Sequence, residues 1–519
     1  MTANGTIPGP PIVVNEGDWL EVTVLNRLPS EPTTLHWHGQ LQVMTPFSDG
    51  VPSMTQCAIM PGDSLTYSFR ASNAGTFWYH GHMLEQYTEG LFGLLQVLPA
   101  PGSAEDLTRG LDLGAADNEV FVMLSDYYNN NAHELLTLFY MTPESEGVEP
   151  IPDAIMANGK HKGSLFMSAN RAGKTLVHVI CAASFSMFTV SVDGVNLQLV
   201  EVDSTAIAPI TVPSISINVA QRMSFVVDWS TLDLPSTAKG VYFRARAMTE
   251  MYALDPAGYV PPYESALLRN PPQPLDPAYT AVFQFSPLAS GSQLPDYAAD
   301  GTHGTAPVRR AIPVPASGPY AGLDASAGLD SNYLDALPLV PLHMPTGTHQ
   351  LYLEVLFYVD EASGVNVGHL NGISHVHNMV GGMMPALYDK SVYGTPLGSA
   401  SAHSAADFHN AAFKPFGYAD SGPMPALPIA YTDEAHYLLP PGAVVVMLIN
   451  NTDSGEHPFH FHGHTVWVVA SSEHPDGAAA RAAANSVMRR DTVSIPGLGW
   501  AKVAFIAENP GTYDIPLRL

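Results

Sequence analysis

His457-Pro458-Phe459-His460-Phe461-His462-Gly463-His464 places four imidazoles within eight residues. In an extended strand the side chains alternate faces at a rise of roughly 3.3 Å per residue, so His460 and His462 point the same way with Cα atoms about 7 Å apart. That separation is wide for two ligands of one metal. It suits delivery of one imidazole each to two metals a few ångströms apart, the spacing of a polynuclear site. Imidazole is a ligand for Cu, Zn, Fe or Ni, and no cysteine or carboxylate cluster beside the run argues for a harder or softer ion. By itself the run reads as readily as a surface tract. It has company in the N-terminal third of the chain.

Working outward, Leu35-His36-Trp37-His38-Gly39 is followed about forty residues later by Gly75-Thr76-Phe77-Trp78-Tyr79-His80-Gly81-His82. The neighbouring stretch Trp19-Leu20-Glu21-Val22-Thr23-Val24-Leu25 alternates apolar and polar residues with the period of a half-buried strand. A lone His-x-His is usually structural. Three of them, each in an aromatic β context and each beside a glycine, are not three satisfied cores. An internal repeat ties the ends together. Glu16-Gly17-Asp18, a strand, Asn26, a loop and His36-Trp37-His38-Gly39 parallels Pro441-Gly442, a strand, Asn450-Asn451, a loop and His460-Phe461-His462-Gly463. The first and third parts of the chain therefore read as copies, and a site fed by both lies at their interface.

A chain of 519 residues is too long for one core and divides into about three domains. With 43 Gly and 45 Pro it has the turns that an all-β fold of short strands requires. The expected boundaries are 1–110, 115–290 and 336–519, with a Pro-, Gly-, Ala- and Ser-rich linker from about 286 to 335. The middle domain carries His133, His161 and His178, none paired at i, i+2, and reads as structural. A fourth pair, His375-Val376-His377, lacks aromatic and glycine context and reads as a decoy. No uninterrupted apolar run is long enough to span a bilayer. The net charge of −27 argues against nucleic acid or an anionic membrane as partner and reads as a solvated acidic surface. Cys57 and Cys181 are the only cysteines, so this is no disulfide scaffold. Asn4-Gly5-Thr6 and Asn450-Asn451-Thr452 fit the glycosylation pattern. No secretory leader precedes the fold, so either the protein is intracellular or Met1 is not its natural start.

These residues resemble the multicopper oxidases, the group of laccases, ascorbate oxidases and ferroxidases. The similarity runs from the Asn4-to-Pro10 turn through Ser125-Asp126-Tyr127-Tyr128 to Arg489-Arg490-Asp491-Thr492-Val493 and Gly499-Trp500-Ala501. It implies three cupredoxin-like Greek-key β-barrel domains and a secreted, copper-dependent oxidoreductase. A type 1 copper takes electrons from a small-molecule or metal-ion reductant, and a trinuclear cluster between the first and third domains reduces dioxygen to water. By motif, His36 and His460 resemble the type 2 ligands, and His38, His80, His82 and His462 resemble type 3 ligands. His457 resembles one type 1 ligand. Asp49, in Ser48-Asp49-Gly50, resembles the family acid that orients cluster water and supplies protons, and equally a turn residue before glycine. Gln56-Cys57-Ala58-Ile59 resembles the family's cysteine that bridges to the C-terminal end, and with Gly81-His82 it leans towards the ascorbate-oxidase-like branch.

The family pattern closes with a His-Cys-His run and a further histidine. Here Pro510-Gly511-Thr512-Tyr513, the counterpart of Ala74-Gly75-Thr76-Phe77, leads to Asp514-Ile515-Pro516-Leu517-Arg518-Leu519. The expectation is a third domain cut short by one strand, with only His457 of the type 1 ligands and four of six type 3 imidazoles. An oxidase of impaired activity is the first reading. A non-catalytic copper-binding or structural protein derived from an oxidase is the alternative, and a zinc hydrolase is weakest because no carboxylate base pairs with the histidines. The reducing substrate stays open. Glu456, beside His457, reads as a solvated loop acid or as a cation ligand.

Overall fold

The computed structural model describes residues 1–108, 119–145, 147–160, 167–168, 173–231, 241–248, 251–252, 280–286, 338, 349–359, 364–372, 430–431, 437–475, 487–511, 513 and 515. His161, most of the 286–335 linker, His375, His377 and residues 516–519 lie outside them. The described chain is all-β, as expected, and its strands fall into three groups.

The first group holds β1 (Gly9–Asn15), β2 (Trp19–Leu25), β3 (Leu35–His38), β4 (Ser64–Arg70), β5 (Gly75–Gly81) and β6 (Phe92–Leu98). One sheet runs β1-β6-β5-β3, with β1 parallel to β6, while β2 and β4 form an antiparallel pair. Alternation along β3 sends Trp37 into a core with Tyr67, Phe69, Phe77, Tyr79 and Leu95. His36 and His38 therefore face the other way. The antiparallel register sets His36 opposite His80 and His38 opposite Trp78, so two of the sequence pairs are joined across one ladder.

The middle group is built on β7 (Glu119–Tyr127), β8 (Lys174–Cys181), β9 (Leu197–Val202) and β10 (Arg222–Asp228). β8 lies between parallel β7 and antiparallel β10, and β9 follows β10. A second sheet covers this one, and Val179, Leu199, Phe188, Phe225 and Phe243 fill the space between them.

The third group contains β11 (His349–Val359), β12 (Val444–Asn451), β13 (His457–His460), β14 (Val466–Ser471), β15 (Thr492–Ile495) and β16 (Trp500–Ile506). Its main sheet includes β11-β12-β16-β14, and β13 pairs with β15. The repeat read from the sequence reappears in hydrogen bonds. Gly17 N donates to Ala71 O at 2.7 Å, and Gly442 N donates to Ala507 O at 2.8 Å. Asn26 is buried, accepts from Leu28 N at 2.9 Å and donates to Glu31 O at 2.8 Å. Asn451 is buried too, accepts from Asp453 N at 2.9 Å and donates to Gly455 O at 2.7 Å. Each asparagine thus clamps the loop that leads to a histidine strand, which is how two copies deliver their imidazoles alike.

Candidate metal centre

Six histidines from the first and third groups meet. Ring centroids of His36 and His462 lie 3.9 Å apart, and those of His38 and His460 are stacked at 3.6 Å. His80 is 5.3 Å from His36, while His82 is 5.5 Å from His36 and 5.1 Å from His462. His460 and His462 are 4.8 Å apart. Only β3 carries both members of its pair. β5 and β13 stop at Gly81 and His460, so His82 and His462 arrive from the first residues of loops. Tertiary bonds replace the ladder there: His82 N donates to Thr34 O, and Phe461 N donates to Asp491 O.

Each anchored ring has one nitrogen fixed and the other aimed inward. His36 Nδ1 donates to Asp49 O at 2.7 Å, His460 Nδ1 to Asp491 O at 3.0 Å and His80 Nδ1 to Gly81 O at 2.9 Å. A carbonyl only accepts, so these Nδ1 atoms carry the proton and each Nε2 carries a lone pair. His36 Nε2 and His460 Nε2 face one another at 3.4 Å. Burial first, and then the neighbouring His462, holds the His36 imidazole down at about 4, although Asp49 opposes this. Two lone pairs in contact in a dry site call for a cation between or beside them. His462 Nδ1 binds Asp49 Oδ2 at 2.9 Å, and its Nε2 is buried with no hydrogen-bond partner among the described residues. His36, His38 and His460 present ligand atoms within 4.8 Å of one another, as do His36, Asp49 and His462. A donor set dominated by imidazole, with Asp49 as its one carboxylate, fits copper.

The surroundings are as ordered as the rings. Asp49 closes the short helical turn Pro46–Ser48 and is fully buried. Burial raises its pKa, but the charges and hydrogen bonds of His462 and His36 outweigh that and hold the carboxyl well below its usual range. Gly50 has φ +90°, and a Cβ there would sit 1.9 Å from Leu35 O. Only glycine lets the Asp49 turn press against β3. On the other side, Arg222 of β10 forks the Asp491 carboxylate with Nη1 to Oδ1 and Nη2 to Oδ2, each 2.5 Å. Burial works against its charge, yet Asp491 and Asp203 hold its pKa above the ordinary arginine value. Gly39, at φ +87°, leaves room for this pair: a Cβ would lie 2.7 Å from Arg222 Nη2 and 3.0 Å from Asp491 Oδ2.

His457 stands apart at the start of β13. Its Nε2 binds Asp453 Oδ2 at 2.9 Å, and its ring stacks on Phe357. The hydrogen bond from His457 lowers the Asp453 pKa despite burial, while burial raises that of Glu149, with the charge of Asp453 adding to the rise. Asp453 thus touches His457, and Glu149 is coupled to both through their charges. Glu456 Oε1 accepts from Asn218 Nδ2 at 3.3 Å. His464 joins no ligand group among the described residues: its Nδ1 donates to His462 O, and its ring packs on Phe505 and Tyr513. His178 joins Glu119, Glu201, Ser224 and Thr76 where the first and middle groups touch. Cys57 is exposed and Cys181 is buried.

Sequence reasoning missed Arg222, Asp203, Glu149 and Asp453. One signal was visible: Arg222 opens the otherwise apolar run Met223-Ser224-Phe225-Val226-Val227, and a cation in a buried strand needs a partner.

Paired β-groups that share one histidine centre define the class of protein before any comparison. The multicopper oxidase family models match residues 1–102, 118–236 and 405–515. The chain belongs to the multicopper oxidase family, and its fold is that of three cupredoxin-like domains. It is 28% identical to the iron transport multicopper oxidase fio1 of Schizosaccharomyces pombe, over 99% of this chain and 69% of that protein. It is 35% identical to laccase-1 of Botryotinia fuckeliana over 44% of this chain and 39% of the laccase. The crystal structure of Fet3p, a multicopper oxidase that functions in iron import, superposes with a TM-score of 0.69 at 21% identity, covering 99% of this chain and 83% of Fet3p. Membership implies copper, an oxidoreductase chemistry, and a reductant and dioxygen as reactants. No helix among the described residues is long and apolar enough to cross a membrane.

Proposed function

We propose that His36, His38, His80, His82, His460 and His462 hold a copper cluster that reduces dioxygen to water. His36 and His460 serve the type 2 copper, and His38, His80, His82 and His462 serve the type 3 pair. The supporting observation is the meeting of His36 Nε2 and His460 Nε2 at 3.4 Å, with both Nδ1 protons given to backbone carbonyls. Copper bound there supplies the one-electron steps of the reaction. The chain's own residues do the rest. Backbone carbonyls fix the tautomers, the paired groups of strands exclude water, and Asp49 orients His36 and His462 while offering a buried carboxylate for proton transfer. We take the domains as residues 1–110, 115–290 and 336–519.

We assign His457 to the electron-entry site and a metal ion to the reductant class. Asp453 gives that position a hard oxygen donor and Glu149 adds charge coupled to it, which suits a ferrous ion better than a phenol, and the relative in Schizosaccharomyces pombe is named for iron transport. Asp453→Asn with Glu149→Gln is expected to weaken Mn²⁺ binding at least tenfold in calorimetry. Unchanged binding removes the metal-ion reading and leaves the phenol or ascorbate-like one.

Copper analysis with absorption and electron paramagnetic resonance spectra tests the cluster, and the expected result is bound copper with a type 2 signal. Equal copper content in wild type and in a His36→Ala/His460→Ala double variant would remove the cluster assignment.

A further inference from the structure

We propose that Arg222 is a positioning residue for the histidine cluster, fixing the Asp491 carboxylate from which His38 and His460 take their orientation. The proposal deepens the copper reading above and rests on it. Arg222 comes from the middle group of strands and has no side-chain exposure. Its two Nη atoms fork Asp491 at 2.5 Å each, and its Nε donates to Thr76 O at 2.9 Å. One planar guanidinium is therefore bonded to the first and third groups at once. Two parallel charge-assisted bonds leave the carboxylate no rotation.

One of the two oxygens held by Arg222 also meets the rings. Asp491 Oδ1 lies 3.4 Å from His38 Nε2 and 3.6 Å from His460 Nδ1. The same oxygen accepts from Thr492 Oγ1 at 2.9 Å, and Thr492 Oγ1 is 3.2 Å from His38 Nε2. The backbone carbonyl of Asp491 accepts from His460 Nδ1 at 3.0 Å. His38 and His460 are the two stacked rings that come from different copies. A displaced Asp491 moves both, and groups behind metal-bound imidazoles set their orientation and basicity.

Charges alternate along Arg490, Asp203, Arg222 and Asp491. Arg490 Nε and Nη2 reach the two oxygens of Asp203 at 3.0 Å each, and Arg222 N donates to Asp203 Oδ1 at 3.0 Å. Arg490 thus belongs to the same buried network but grips Asp203 instead of Asp491. It provides a matched control. Lysine at 222 keeps the charge and loses the fork.

The test loads the 519-residue chain, Arg222→Lys and Arg490→Lys with copper and measures retention against a competing chelator, the copper paramagnetic resonance spectrum and the thermal midpoint. Arg222→Lys is expected to bind copper ten- to a hundredfold more weakly, roughly the effect of removing such supporting groups elsewhere, with a changed spectrum. Arg490→Lys is expected to melt at a similarly lowered temperature while holding copper within about twofold of wild type, as a merely structural member of the network would. Equal affinity in wild type and Arg222→Lys, or equal losses in the two lysine variants, overturns the proposal. Where Arg222→Lys does not fold, Arg222→Met/Asp491→Asn, which buries no unpaired charge, is compared with Asp491→Asn alone. Equal affinities, both below wild type, place the action of Arg222 through Asp491; a further loss in the pair, or wild-type affinity, overturns it. A wild-type chain that takes up no copper overturns the copper reading instead, before any variant is considered.

Discussion

Asp49 is where a turn and a binding site coincide. Its sequence context, Ser48-Asp49-Gly50, is legible as a turn residue before glycine and, through the family resemblance, as an acid near copper. In the structure the residue closes a turn and also meets the histidine centre, since its carbonyl holds His36 and its carboxylate holds His462. Asp49→Asn keeps the shape and removes the charge. The expected outcome is a folded protein whose copper affinity falls about tenfold or more, as when a carboxylate behind a ligating imidazole is lost. Chelator competition on the loaded variant measures it, and affinity within twofold of wild type would show that the charge is dispensable. The residues hardest to read were the ones whose partners are remote. Arg222 and Asp491 are 269 positions apart, and nothing local to either names the other.

At the scale of the element, alternation identified β2 and the histidine strands because a period of two has a direct physical cause. Where β5 and β13 end was not legible, because His82 and His462 are held by bonds to Thr34 and to the Asp491 strand rather than by local pattern. The turn between Asp49 and Val51 is similarly dependent on its neighbour. Gly50→Ala is expected to cost on the order of 3 kcal/mol, from the left-handed φ and the collision with Leu35 O. A urea midpoint unchanged from wild type would contradict that.

The junction of β5 with β8 and β9 predicts a pH effect. Burial alone would lower the His178 pKa, but the hydrogen bonds and charges of Glu119 and Glu201 raise it above the ordinary value of about 6.5. Thr76, Ser224 and the stacked Phe121 complete its surroundings. Because the folded value is the higher one, this contribution is fully present below the unfolded pKa and is lost as pH rises through the folded pKa. The gap in thermal midpoint between wild type and His178→Gln should therefore be widest below about pH 6.5 and narrow as pH rises above it. A gap that is constant with pH would show that the imidazolium contributes nothing.

For the whole molecule, the duplicated design was legible, since the loops around Asn26 and Asn451 keep nearly the same spacing to their histidines, ten residues in one copy and nine in the other. The role of the middle group as a source of Arg222 was not, because its sequence carries no motif of its own for the site. A centre whose ligands come from two ends of the chain should bind metal only in the folded state. Copper at a hundred times its dissociation constant is then expected to raise the unfolding free energy by about 2.7 kcal/mol. Denaturant titrations with and without copper measure this, and coincident curves would contradict a folded-state centre.

The distance along the chain between His82 and His460, about 380 residues, also sets a clock. At ribosomal speeds of about 5–20 residues per second, roughly 20–80 s pass between the emergence of the last imidazole of one half and the first of the other. Four histidines leave the ribosome long before their counterparts exist. On the copper reading, the shared centre assembles only after the second histidine strand has emerged, late in the passage of the chain from the ribosome.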